Sequence, residues 1–416
     1  PHLHFEIRET LGKIPENPLN YDFKVKDAKH PEMQKLWVYN HAATGHVEGL
    51  QTEKGFSLNG TAGDYNLSKD TIRALGSLSF GMAAIDRYSA AQNVCGIYGM
   101  TVKVNGEIIH QQQIDKFPFS KKRMVNCHVD YEKRKTEKHF VYRSYIAPGN
   151  KLDLYPVIKN GGKTIIEEGK TYDVTLELFD HTGNVSKLGL TILGQARQGS
   201  LLSKKEDVTD IFYPRRENAF SNNSIRINIP EGCLYDTLKF KYDLKPACKE
   251  CISAVHSVGK LSDTPLDKSM TVSIKLNDVS ESTTSKAVMV SYDSKGRPIA
   301  EGGSAKWNWI TATTRSFGEY TVMVDSLAPI LKPKNFKNQS STAGIKILEF
   351  TLSDDLSGIS SVSGTLNGKW VLLESDPKNN LLYYTKDERF ITGQNTFRIK
   401  ATDKVGNVRE LNVTVQ

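Results

Sequence analysis

Apolar and polar residues alternate one by one along most of this chain, which is the period that places successive side chains on opposite faces of a β-strand. In the segment Thr171–Asp180, Val174 and Leu176 alternate with polar neighbours, and Met270–Asp278 and Asn395–Asp403 show the same pattern. Such runs are short and recur after residue 27 up to the end of the sequence. The pattern therefore predicts many short strands, each with one face toward a core.

Two Asn-Gly pairs, Asn105-Gly106 and Asn367-Gly368, separate runs of this kind. Both residue types adopt a positive φ at low cost, which the two central residues of a tight hairpin turn require. Each pair therefore predicts a two-residue β-hairpin.

A recurring motif, Asp-x-x-Gly-Asn, directly follows two of the alternating runs, at Asp180–Asn184 and at Asp403–Asn407. A looser copy lies at Asp293–Arg297, and a stretched one follows Ile85. The Asp can accept hydrogen bonds from turn amides, and the Gly-Asn pair tolerates positive φ. A calcium loop is the alternative, but each copy lacks the further carboxylates that a site of six to eight oxygens needs. We interpret the motifs as plain turns.

The fold class that follows is mainly β, with a terminal strand and then about three immunoglobulin-like β-sandwiches. Helical periodicity is rare and predicts one short helix over Lys69–Leu75, with Ser68 as its N-cap. Pro- and Lys-rich stretches and composition shifts suggest the boundaries between domains. The predicted domains are residues 1–27, 28–197, 198–326 and 327–416.

The composition of the 416 residues is that of a globular protein, with no apolar run as long as a membrane span and no signal peptide. Because the sequence starts at Pro1, we expect a processed form or a fragment. Of its formal net charge of +8, much lies between Lys116 and Arg143, where nine basic residues face three acidic ones. This stretch can attract anionic polymers or lipid head groups, but an exposed loop between strands is the favoured interpretation. We expect no nucleic-acid partner.

Five cysteines are present, and three of them, Cys233, Cys248 and Cys251, lie close together in the sequence. With His256 they can be written as a four-ligand zinc set, although the spacing matches no standard zinc finger. A disulfide is the other interpretation, and it requires an oxidising compartment.

Two histidines open the chain in the string HLHFEIR, where strict alternation places His2 and His4 on one face of a strand. Their backbones are then about 7 Å apart, so that one imidazole can bind a metal while the other reaches the metal-bound water. A catalytic zinc site typically has three protein ligands and an open position for water.

The string HLHFEIR, followed by NPLNYDF (Asn17–Phe23), resembles the C-terminal end of the catalytic domain of lysostaphin-like zinc metalloendopeptidases. The resemblance implies that His4 is a Zn²⁺ ligand and His2 the catalytic histidine acting at the zinc-bound water. It also implies a cell-envelope enzyme, in the periplasm or at the outer membrane, that hydrolyses peptidoglycan cross-link peptides. Later blocks are similar to the long β-rich tails of such peptidases from Bacteroidetes-type bacteria.

In that family the other two ligands are the His and Asp of an H-x-x-x-D motif, and no histidine of this chain has an Asp four residues later. We therefore expect this chain alone to be inactive and the missing ligands to precede Pro1. The alternative is a pseudo-peptidase that acts as a scaffold or binding subunit of an envelope or outer-membrane complex. Its contact candidates are the basic stretch 116–143 and the exposed sheet edges.

A third interpretation is carbohydrate binding by one of the sandwiches. The four tryptophans that could stack on a sugar ring are Trp37, Trp307, Trp309 and Trp370. Trp307 and Trp309 are two positions apart in KWNWI, which predicts that they share one strand face and can form a platform. Core packing of at least one of the two is the favoured interpretation.

Overall fold

A computed structural model describes residues 5–23, 25–61, 63–69, 71–89, 91–197, 208–259, 264–277 and 279–416. His2 and His4 lie outside the described residues. The chain divides into two compact units. Unit 1 comprises Pro1–Glu217, Glu231–Lys239 and Leu261–Lys268, and unit 2 comprises Asn218–Pro230, Phe240–Lys260 and Ser269–Gln416.

The mainly β class is confirmed, and the described residues form 34 strands with a few short helices. The strands before residue 200 are β1 (Ile7–Arg8), β2 (Pro15–Glu16), β3 (Glu32–Asn40), β4 (His46–Val47), β5 (Glu53–Thr61), β6 (Asp64–Leu67), β7 (Thr71–Ile85), β8 (Gly99–Val104), β9 (Glu107–Gln113), β10 (Val141–Arg143), β11 (Val157–Ile158), β12 (Thr164–Ile166), β13 (Thr171–Phe179) and β14 (Val185–Gly194).

The middle of the chain contains β15 (Asp210–Phe212), β16 (Asn218–Ser221), β17 (Ile225–Ile229), β18 (Leu238–Phe240), β19 (Tyr242–Lys245), β20 (Val255–Val258), β21 (Met270–Lys275), β22 (Ala287–Tyr292), β23 (Pro298–Gly302), β24 (Ser304–Lys306), β25 (Trp309–Thr314) and β26 (Gly318–Val324). The last part contains β27 (Ile330–Pro333), β28 (Ile347–Ser353), β29 (Ile359–Leu366), β30 (Lys369–Trp370), β31 (Glu374–Asp376), β32 (Leu381–Thr385), β33 (Asn395–Asp403) and β34 (Val408–Val415). The α-helices are α1 (Val125–His128), α2 (Tyr131–Thr136) and α3 (Glu281–Thr284), and 3-10 turns lie at Pro18–Asn20, Phe119–Met124, Asn160–Gly162 and Pro377–Asn379.

Strands β3 to β14, the first sheet domain, form one continuous 12-stranded sheet around a single hydrophobic core. The long strand β7 pairs with β3 along one part of its length and, in parallel, with β14 along another. The predicted short helix over Lys69–Leu75 is wrong, because Thr71–Ile85 is this strand. Ile72 and Ala74 are buried on either side of an exposed Arg73, so the two-residue period of the sheet replaces the helical one.

The middle sandwich, formed by β16, β17 and β19 to β26, consists of two five-stranded sheets. The last sandwich, formed by β27 to β34, consists of two four-stranded sheets around its own core. Both sandwiches lie in unit 2. The predicted boundaries of the four domains stay predictions.

Both predicted Asn-Gly hairpins are present, between β8 and β9 and between β29 and β30. Asn105 and Gly106 have φ values of 50° and 81°, and Asn367 and Gly368 have 52° and 79°. Two positive φ values in a row are the turn geometry whose twist matches that of paired strands.

Candidate functional site

The segment that carries the peptidase resemblance is joined to the first sheet domain from residue 7 onward. Strands β1 and β2 pair with each other, with Ile7 opposite Glu16. The Asn17 N–H then donates to the Asp115 carbonyl at 2.7 Å, and the Phe117 N–H donates to the Pro15 carbonyl at 3.1 Å. The segment is therefore attached by main-chain hydrogen bonds just after strand β9.

Side chains add to this attachment. Lys116 forms an ion pair with Glu9 at 3.4 Å, and the Arg8 guanidinium lies 5.0 Å from the centre of the Phe119 ring. Asn17 Oδ1 accepts a hydrogen bond from the Leu19 N–H and so begins the 3-10 turn Pro18–Asn20. The NPLNY part of the peptidase-like string is therefore a turn that Asn17 caps, and it lies against the rest of unit 1.

A cavity of about 370 Å³ lies between this segment and the end of the first sheet domain. Its lining includes the carboxylates of Asp86, Asp115 and Asp180 and the imidazole of His181. Burial raises the pKa of Asp86 to about 6, against the hydrogen bond that Asp86 accepts from the Arg87 N–H. The nearby negative charges of Asp180 and Asp27 raise it further. The Asp86 carboxylate can therefore accept a hydrogen bond from a bound molecule, or a proton at a pH near 6.

The described residues do not fit a zinc ion. Within the described ranges, the sole group of three His, Cys, Asp or Glu side chains at ligand spacing consists of Asp325, Asp354 and Asp355. Zinc sites in proteins use mainly His nitrogen and Cys sulfur, with carboxylates as additional ligands. The roles assigned to His2 and His4 stay predictions.

Two other histidines, His110 and His128, are buried in the first sheet domain beside Tyr155. The Tyr155 hydroxyl lies 2.9 Å from His128 Nδ1, and Asn150 donates to the same hydroxyl at 2.8 Å. Burial lowers the pKa of both imidazoles to about 4, so both are neutral at physiological pH. They form a buried polar cluster of the core.

The cysteine set resolves in favour of the disulfide. Cys248 and Cys251 are bonded to each other, which removes two of the four candidate zinc ligands. The Cys233 thiol donates to the Lys268 carbonyl within unit 1, and His256 Nδ1 lies 3.0 Å from the Tyr242 hydroxyl within unit 2. In the part of the chain that the structure describes, none of these residues belongs to a group of three side chains at metal-ligand spacing.

The basic stretch 116–143 consists largely of short helices, so the predicted exposed loop is wrong. Lys133 is buried, pairs with Glu53 at 3.2 Å and lies 4.2 Å from the Trp37 ring centre. Arg123 and Arg143 donate to main-chain carbonyls of unit 1. Three of the nine basic side chains are therefore used in contacts within the fold.

The prediction that Trp307 and Trp309 share one strand face is wrong, so the two do not form a platform. Trp307 and Asn308 are the two turn residues between β24 and β25, with φ values of 54° and 58°. Trp309 is the first residue of β25 and lies opposite Lys306, with the Arg226 guanidinium 4.1 Å from its ring centre. Two residues that flank a left-handed turn position do not share a strand face, because the alternation stops at the turn.

The Asp-x-x-Gly-Asn motifs are turns, as predicted. Asp180 Oδ1 accepts from the Asn184 N–H at 2.9 Å, and Asp403 Oδ1 accepts from the Asn407 N–H at 2.8 Å. Sequence reasoning missed the carboxylate cluster next to the second turn, in which Asp325, Asp354 and Asp355 come together. Its signal was the Asp-Asp pair that directly follows strand β28.

Comparison with known proteins gives one family match and distant structural likenesses. Residues 209–325 match the Zu5-like domain. No curated protein matches the chain. Among the described residues, no helix has the length and apolar character needed to cross a membrane.

Two solved structures are similar at low identity. One is a mixed-linkage glucan utilization locus protein of Bacteroides ovatus, SGBP-B, in complex with a mixed-linkage heptasaccharide, at 13% identity and a TM-score of 0.16. The match covers 82% of this chain and 64% of that one, so it spans less than two thirds of the glucan-binding protein. The other is described as a bacterial ice-binding adhesin of 1.5 MDa, at 10% identity and a TM-score of 0.15, covering 83% of this chain and 94% of that one. At these TM-scores the likeness carries no argument about function.

Proposed function

We propose that this chain is the β-rich accessory part of a cell-envelope zinc metalloendopeptidase that hydrolyses peptidoglycan cross-link peptides. The observation that carries the proposal is the string HLHFEIR followed by NPLNYDF, which resembles the end of a lysostaphin-like catalytic domain. In this proposal His4 is a zinc ligand and His2 is the catalytic histidine. The H-x-x-x-D ligands come from residues outside this sequence, since no histidine here has an Asp four positions later.

The contacts of the segment support a positioning role for the first sheet domain. The main chain of residues 15–17 is hydrogen-bonded to residues 115–117, directly beside the 3-10 turn that Asn17 caps. A catalytic strand attached in this way is held in a fixed relation to the first sheet domain, and a group that acts at a metal-bound water must be positioned within a fraction of an ångström. The accessory region is then part of what orients the catalytic domain.

The experiment begins with the coding sequence before Pro1, read for H-x-x-x-D. A form that includes those residues is expected to bind about one zinc per chain and to clear purified peptidoglycan, since a catalytic zinc needs three protein ligands. His4→Ala is expected to lose the zinc, and His2→Ala to keep the zinc and lose clearing. His30→Ala, an exposed histidine elsewhere in unit 1, is the matched control and is expected to keep both.

Two outcomes contradict the proposal: undiminished clearing by His2→Ala, or a longer form without H-x-x-x-D. The second result supports the alternative, a non-catalytic scaffold or binding subunit of an envelope complex.

A further inference from the structure

Three carboxylates from two separate parts of the sequence meet at the beginning of the last sandwich. Asp325 precedes β27, and Asp354 and Asp355 follow β28. Each of the three offers a carboxylate oxygen within 4.8 Å of the others. Asp325 is buried, Asp354 is half-buried and Asp355 is exposed, so the cluster extends from the interior to solvent.

Two of these carboxylates each have one oxygen that is buried and has no hydrogen-bond partner. Asp325 is 1% exposed; its Oδ2 accepts from the Ser357 N–H at 3.0 Å, while its Oδ1 has no partner. Asp354 Oδ2 accepts from the Gly358 N–H at 2.7 Å, while its Oδ1 has no partner either. A buried carboxylate oxygen without a partner is costly, so a structure that keeps two of them together calls for a ligand that satisfies both.

Among the described residues of the last sandwich, no basic side chain forms an ion pair with the cluster. The ion pairs found among the described residues of the last sandwich join Lys334 to Glu349 and Arg389 to Asp387 and Glu388. The cluster therefore has an excess of negative charge in a partly desolvated place.

We propose that Asp325, Asp354 and Asp355 bind one calcium ion. An all-oxygen ligand set with carboxylates of unequal exposure suits Ca²⁺, which takes six to eight oxygens in flexible geometry and completes its shell with water. The exposed position of Asp355 leaves room for those waters. Mg²⁺ demands near-ideal octahedral geometry and gives up water reluctantly, so it fits this irregular set less well.

The site lies where the middle sandwich meets the last one, within unit 2. The Asp325 N–H donates to the Lys286 carbonyl at 2.9 Å, and the Asp325 carbonyl accepts from Asn407 Nδ2 at 2.9 Å. Lys286 Nζ donates to the Val405 carbonyl at 2.8 Å. An ion bound to Asp325 therefore stabilises the junction at which the Zu5-like region ends and the last sandwich begins.

The test is a calorimetric titration of the chelator-treated 416-residue chain with CaCl₂, in parallel with MgCl₂. We expect one Ca²⁺ per chain with a Kd of about 10⁻⁴ to 10⁻³ M, the range of extracellular calcium modules, and weaker Mg²⁺ binding. Asp355→Asn removes an exposed charge and is expected to weaken Ca²⁺ binding tenfold or more. Glu388→Gln, whose side chain is 83% exposed in the same domain, is the matched control and is expected to bind like the unchanged chain.

A second variant keeps the proposal falsifiable if calorimetry gives little heat. In Asp354→Asn an amide oxygen still accepts from the Gly358 N–H, so the turn is kept while one charge is lost. Thermal unfolding of the unchanged chain is expected to shift upward with Ca²⁺, and that of Asp354→Asn is expected not to shift. The proposal is overturned if about 10 mM Ca²⁺ neither binds nor shifts the unchanged chain, or if Asp355→Asn and Glu388→Gln respond alike.

Discussion

Two regions of the molecule are built on the same turn and differ in how they balance their charge. In the first sheet domain, Asn184 Nδ2 donates to the Asp27 carbonyl at 3.4 Å. In the last sandwich, Asn407 Nδ2 donates to the Asp325 carbonyl at 2.9 Å. In both, the Asn of an Asp-x-x-Gly-Asn turn holds the residue that leads into the domain.

The two regions differ in the residue that follows the Asp at the end of a strand, which is β7 in the first sheet domain and β28 in the last sandwich. In the first sheet domain Asp86 is followed by Arg87, which pairs with Glu32 at 2.9 Å. In the last sandwich Asp354 is followed by Asp355. Asp27 Oδ1 also accepts three hydrogen bonds, from the Lys29 N–H and from the N–H and hydroxyl of Ser89. The Asp325 carboxylate accepts one, from the Ser357 N–H. The first region therefore supplies more donors to its entry carboxylate and places a cation after Asp86, although Asp27 Oδ2, like Asp325 Oδ1, has no partner. In our proposal, an ion supplies the positive charge that the second region lacks.

The largest expected effect comes from giving the last sandwich the residue of the first. Asp355→Arg removes one ligand and places a positive charge beside the other two, so we expect Ca²⁺ affinity to fall by more than about 100-fold. Titration calorimetry measures it, with Glu388→Arg as the control for an added surface charge. Retention of calcium affinity by Asp355→Arg would show that this carboxylate is not a ligand.

A smaller effect is expected from the two turn asparagines. Asn407→Ala removes hydrogen bonds to Asp403 Oδ2 at 2.7 Å and to the Asp325 carbonyl at 2.9 Å, which we expect to cost about 2 kcal/mol of local stability. Asn184→Ala removes the matching hydrogen bond to Asp180 Oδ2 at 2.7 Å and an exposed one to Thr182 Oγ1 at 2.9 Å. Its bond to the Asp27 carbonyl is long at 3.4 Å, so we expect a smaller cost of about 1 kcal/mol. Native-state hydrogen exchange of peptides from each region measures both costs, and equal costs contradict the ranking.

The smallest effect concerns pH. The pKa of Asp86 is raised to about 6 in the folded chain, so its contribution to stability is complete below its unfolded pKa and is lost as the pH rises through 6. Asp86→Asn is expected to flatten the stability of the first sheet domain between pH 4 and 7 by about 1 kcal/mol, less than the full shift because water screens part of it. Asp293→Asn, at the looser copy of the turn between β22 and β23, is the control. A profile as steep in Asp86→Asn as in the unchanged chain assigns the pH dependence to another group.

Local sequence patterns were sufficient to predict several elements of the fold. The Asn-Gly hairpins, the strand Asn395–Asp403 and the two Asp-x-x-Gly-Asn turns depend on neighbouring residues, and the structure has them as predicted. The helix over Lys69–Leu75 failed because pairing with β14, far away in the sequence, decides the structure of Thr71 to Ala74. Tertiary pairing overrides a weak local preference.

The carboxylate cluster could not be predicted from the sequence, because it too depends on contacts between residues far apart in the chain. Each Asp-x-x-Gly-Asn loop lacks further carboxylates of its own, so the sequence of the loop alone argues against a calcium site. The partners in the last sandwich come from the linker at Asp325 and the turn after β28, which only the folded sheets bring together. His2 and His4 were found by resemblance, and their roles stay predictions.

The most direct test of this account is hydrogen–deuterium exchange of the full chain with and without calcium. If the three carboxylates bind calcium, exchange slows at the Ser357 and Gly358 amides and at 403–407 when calcium is added. These amides contact the cluster or the turn beside it. Exchange at 86–95 and 180–184 is predicted to stay unchanged. Equal responses in the two regions, or no response at 354–358, would contradict the account.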